Sequence, residues 1–110
     1  MLNSQEACLL VMSTSKLRTY VEMHRGKLKD AHLVEGRASL LHYAAAGGYF
    51  KSIHCLLSAG VDPNVKVSNL GITPLMFAAL AGSSPSMEFL LQSGADINSA
   101  THYVSEGSGK

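Results

Sequence analysis

The chain has 110 residues, 46% of them hydrophobic and 15% charged, with nine lysines and arginines against eight aspartates and glutamates. That balance excludes a highly charged disordered tail and fits one small globular domain, too small to house a catalytic cleft easily. Apolar runs such as Ala7 to Met12 fall far short of the ~20 residues that span a bilayer, and this one has neither a preceding positive region nor a small-residue cleavage pattern. An intracellular protein, in cytoplasm or nucleus, is expected.

From the N-terminus, Asn3 with Glu6 three positions on has the form of a capping pair, and Leu9, Leu10 and Met12 come next with helical spacing. Ser15 then precedes Leu17, Tyr20, Val21 and Met23, a second helix stopped by Gly26. Residues 1–35 thus read as a helix pair, either a degenerate repeat or an N-terminal cap. The pair echoes the later residues only weakly: Gly26 lies 34 before Gly60, with Met23 opposite Leu57 and Asp30 opposite Asn64.

Residues 39–64 recur at 73–98 with an offset of 34, and ten of those 26 positions are identical. A fixed period of this length signals a supersecondary unit stacked on copies of itself. In each copy a hydroxyl residue, Ser39 or Thr73, opens a helix, and Pro74 suits its first position because no needed donor is lost there. Leu41, Ala44, Ala45 and Leu75, Ala78, Ala79 make a small-residue stripe, and Gly48 and Gly82 end it. A second helix carries Ile53, Leu56, Leu57 in one copy and Met87, Leu90, Leu91 in the other, the latter started by Ser84 and Pro85. Gly60 and Gly94 stop these helices, and Asp62-Pro63-Asn64 and Asp96-Ile97-Asn98 supply turn-forming side chains.

Thr73-Pro74-Leu75 with Ala78-Ala79, Gly82, Leu90-Leu91 and Gly94-Ala95-Asp96-Ile97-Asn98 resembles the ankyrin repeat family, and Leu41 to Asn64 is similar to the same pattern. The resemblance implies an all-α solenoid of ankyrin-type helix-turn-helix units with extended hairpin loops. Its divisions are 1–35, a first repeat at 36–67, a second at 68–100, and 101–110 as a flexible tail or truncated next repeat. Leu40 stands where the family has proline, Met76 where it has histidine and Arg37 where it has a hairpin glycine. Ser52 and Ser86 stand where a branched aliphatic is usual. His42 matches the motif histidine, whose role in the family is bonding between the turn and the next repeat. Tyr43 and Phe77 match an apolar packing position. A stack ordinarily closes with a polar outer face, so Phe89, Leu90 and Leu91 imply that further repeats or another chain cover the C-terminal end.

No motif assembles a nucleophile, a base and an orienting group, so no enzyme is expected and no cofactor is implied. Gly107-Ser108-Gly109-Lys110 has the ending of a phosphate-binding loop, yet Val104 stands where its first glycine belongs and no strand precedes it. The histidines at 24, 32, 42, 54 and 102 share no metal-ligand spacing with one another or with a cysteine. Cys8 and Cys55, 47 positions apart, read as reduced thiols, with Cys55 packed in the core. Residues 16–37 hold six basic side chains against three acidic ones, a solvated helix face or, alternatively, a contact for nucleic acid or phosphoinositide.

By resemblance, the chain is a scaffold or adaptor that binds a protein partner through the concave face of hairpin tips and first helices. The positions carried over are Glu35, Gly36, Ala38, Ala46 and Gly47 in the first copy, and Asn69, Leu70, Ile72, Leu80 and Ala81 in the second. Leu70, Ile72 and Leu80 are expected to form an exposed apolar patch of the kind that marks partner sites. The alternative is a regulatory fragment of a larger multidomain protein.

Overall fold

The computed structural model describes residues 2–27, 33–34, 38–66 and 71–97. The chain opens with α1 (Ser4–Met12) and α2 (Thr14–Met23). Next come β1 (Leu33–Val34) and β2 (Ala38–Ser39), antiparallel, with Leu33 opposite Ser39 and Val34 opposite Ala38. This hairpin leads into α3 (Leu40–Gly47) and α4 (Phe50–Ser58), followed by α5 (Pro74–Ala81) and α6 (Ser84–Gln92). The first helices stack as α1, α3, α5, the second helices as α2, α4, α6, and each pair packs across the two layers.

Local chemistry sets the helix boundaries. Asn3 and Glu6 form a reciprocal cap: the Glu6 amide donates to Asn3 Oδ1 at 2.8 Å and the Asn3 amide to Glu6 Oε1 at 3.1 Å. Ser39 caps α3, its Oγ accepting from the His42 amide at 3.3 Å. At α5 the extended Thr73 precedes Pro74, and Met76 Sδ accepts from the Thr73 amide at 3.3 Å. Gly48 and Gly82 close the first helices at φ +71° and +70°, a conformation that costs a residue with a Cβ roughly 1 kcal/mol or more.

Packing follows from the small-residue stripe. Ala44, Ala45 and Ala78 are fully buried, letting α3 and α5 approach closely, while Leu41, Ile53, Leu56, Leu75 and Leu90 supply the bulk of the core. Ala7, Val11 and Leu17 extend the same cluster into α1 and α2, so the N-terminal pair stands against α3 and α4 as those stand against α5 and α6.

Three sequence expectations shift. The cap of α2 is Ser13, not Ser15: its Oγ accepts from the Lys16 amide at 3.4 Å. Ser13 also ends α1, so a single residue joins the two helices. Met23 is 75% exposed and cannot be the counterpart of Leu57. Leu17 lies four residues past the cap of α2 as Ile53 does past that of α4, and both are fully buried. The true correspondence for α2 is therefore 36 residues, with Val21 opposite Leu57. Finally, α6 is capped by Ser83, one residue before the expected Ser84, through the Ser86 amide at 3.4 Å.

Candidate interaction surface

Four side chains tie the layers together and fix which faces stay free. His42, 2% exposed, lies between Ser39 and the next repeat: Nδ1 is 2.8 Å from Ser39 Oγ and Nε2 donates to the Ile72 carbonyl at 2.9 Å. Asn64 reaches the following loop twice, Nδ2 donating to the Gly94 carbonyl at 2.9 Å and Oδ1 accepting from the Asp96 amide at 2.7 Å. Toward the N-terminal pair, Ser52 Oγ donates to the Val11 carbonyl at 2.5 Å and Tyr43 Oη to Ser4 Oγ at 2.8 Å. Tyr43 and Phe77 are half-buried against the core, and Phe77 meets the His42 ring edge-on at 5.8 Å.

With those contacts made, an apolar strip is left along the last turns of the stacked first helices. Leu80 is 71% exposed near the end of α5, and Met12 is 60% exposed at the end of α1. Between them, at the end of α3, Ala46 and Gly47 are exposed, and Ala81 is exposed beside Leu80. The ring of Tyr49 lies over Gly47, where any Cβ would collide with it. Leu9, 57% exposed, adds apolar surface on α1.

The carried-over positions divide into three groups. Ala46, Gly47, Leu80 and Ala81 are exposed. Ala38 and Ile72 are half-buried, so Ile72 presents less open surface than expected; Ala38 packs on the core, and the Ile72 carbonyl accepts from His42. Glu35, Gly36, Asn69 and Leu70 lie outside the described residues, as do the tail 101–110 and the hairpin tips. Sequence reasoning passed over Met12, although it precedes Ala46 by the same 34 residues that separate Ala46 from Leu80. For Tyr49 no sequence signal exists, since its role arises from a ring folding back over a glycine.

Two acid groups on the other layer are displaced from their ordinary ionisation. Burial pushes the Cys55 thiol up, partly offset by the Arg18 guanidinium bonded to it. Burial and the Glu6 charge raise the Tyr20 phenol. Cys55 is half-buried, not enclosed in the core, and Cys8 is an exposed free thiol. Among the described residues no cluster of metal-ligating side chains occurs, and no helix is long and apolar enough to cross a membrane.

A family model described as ankyrin repeats (3 copies) matches residues 8–101, and the chain belongs to that family. The matched span takes in most of α1 and all of α2 as well as the two clear repeats. Ankyrin repeats are generic protein–protein interaction modules, a fold that is typically non-enzymatic, which implies protein partners for this chain.

Proposed function

We propose that this chain is a non-enzymatic, intracellular scaffold or adaptor module that engages a protein partner through the first-helix layer and its adjoining hairpins, the concave side of the stack. The observation that carries this reading is the pair of large side chains, Met12 and Leu80, exposed on equivalent last turns of α1 and α5, with only Ala46 and Gly47 between them. Burying such a strip releases water from apolar surface without first breaking any internal hydrogen bond. Glu35, Gly36, Ala38, Asn69, Leu70 and Ile72 belong to the same expected face, and Tyr49 joins it through its place over Gly47.

The test is affinity capture from cell lysate with wild type and a Met12→Asp/Leu80→Asp double variant whose circular dichroism matches wild type. Retention of a protein by wild type and its loss from the variant supports the reading. Identical capture by both proteins sinks it.

A further inference from the structure

On the opposite layer, α2 and α4 enclose an open groove of about 760 Å³ that also touches α6 through Phe89. One wall carries Arg18 on α2 and Arg25 in the turn just past its C-terminal end, the other Lys51 on α4, and Glu22 is the sole carboxylate among the lining residues. Glu22 and Arg25 approach only to 3.9 Å with side chains 63% and 82% exposed, a loose pair that leaves Arg25 available to a ligand. At the α6 side Phe50 and Phe89 stack at 6.3 Å with ring planes 15° apart, and Phe50 is 38% exposed. Along α2 the groove runs from Thr14 to Glu22, which at 1.5 Å rise per residue is about 12 Å, and it continues past the helix to Arg25 and Gly26, room for roughly four to five extended residues.

We propose that this groove seats an extended acidic peptide segment of a protein partner, its carboxylates on Arg18, Arg25 and Lys51 and one apolar side chain against Phe50 and Phe89. Charge complementarity selects the occupant: three cations face one carboxylate at a short site with an aromatic end. A polyphosphate chain fits less well, because Glu22 would face its denser charge and the two rings are stacked on each other, not splayed to receive bases. This site is separate from the first-helix strip and stands or falls without it.

The experiment is a fluorescence anisotropy titration of the full chain with a labelled peptide of about seven residues, carboxylates at alternate positions and one central phenylalanine. Saturable binding is expected, weakened about tenfold or more by Arg18→Glu/Lys51→Glu and weakened again by added salt. A second readout needs no variant: bound peptide slows alkylation of Cys55, which lines the groove, by about threefold or more while the exposed Cys8 on α1 keeps its rate. Absence of saturation, unchanged Cys55 labelling at saturation, or loss of binding in Leu80→Asp in place of the groove variant would each overturn the proposal. So would tighter binding of a mixed-sequence single-stranded oligonucleotide that the same charge reversals abolish, since phosphate would then be the ligand.

Discussion

His42 Nε2 donates to the carbonyl of Ile72 at 2.9 Å, joining the first repeat to the chain that enters the second across thirty residues. The bond requires a proton on Nε2, while Nδ1 lies 2.8 Å from the Ser39 hydroxyl, whose oxygen accepts the His42 amide. One side chain therefore supports the cap of its own helix and anchors the next unit. His42→Ala strands the Ile72 carbonyl, removes a buried ring and loses the edge contact with Phe77. A loss of about 2–4 kcal/mol in urea unfolding is expected. A loss below about 0.5 kcal/mol would show that the repeats are held by packing alone.

Asn64 makes the second cross-repeat link, and its chemistry separates two substitutions. Asn64→Ala removes both bonds, whereas Asn64→Asp keeps the acceptor for the Asp96 amide but turns an oxygen toward the Gly94 carbonyl. Both variants are expected to lose about 1 kcal/mol. Hydrogen exchange discriminates them: the Asp96 amide loses protection in Asn64→Ala and retains most of it in Asn64→Asp.

The two complete repeats were legible because their periodicity, caps and glycines all act locally. Ser39, Thr73, Gly48 and Gly82 do in the fold what their neighbours in sequence imply. The N-terminal pair was less so, since the one-residue link at Ser13 breaks the 34-residue register and moves Leu17, not Met23, into the counterpart of a core position. The exposed strip was half legible: Leu80 follows from its repeat position, while the partial burial of Ile72 depends on tertiary packing that its repeat position does not reveal. Of the groove, only Arg18 and Arg25 were marked in advance, within the basic segment 16–37; Lys51 and Phe50 come from α4 and Phe89 from α6, distant in sequence.

Alkaline pH should weaken the fold. The Cys55 thiol and the Tyr20 phenol are acids whose neutral forms the folded state favours, so their folded pKa values lie above the ordinary ones. Each contributes stability that is fully present below its unfolded pKa and is lost as pH rises through the raised folded value. Because both groups are only half-buried the effect is modest. Its window opens near about pH 9, where thiols begin to ionise, and extends through the phenol range. Thermal melts from about pH 8 to pH 11 check this: Cys55→Ala/Tyr20→Phe should show a flatter decline than wild type. An equal decline would place the alkaline sensitivity elsewhere.

Ser52 and Ser86 occupy the same repeat position, are both buried, and replace the aliphatic residue usual in the family, yet they do different things. Ser52 donates to the Val11 carbonyl, one of the last carbonyls of α1, which has no partner further along its own helix. Ser86 only accepts from the Ser83 hydroxyl at 2.7 Å, a short-range bond that Ser83 can exchange for solvent. Ser52→Ala leaves a buried acceptor unpaired and should cost about 1–3 kcal/mol, whereas Ser86→Ala should cost under about 1 kcal/mol. Urea denaturation of the two single variants measures the difference directly. Equal losses would mean that the Ser52 bond does not hold the N-terminal pair to the first repeat. A larger loss in Ser52→Ala, with faster exchange of α1 amides, would show that it does.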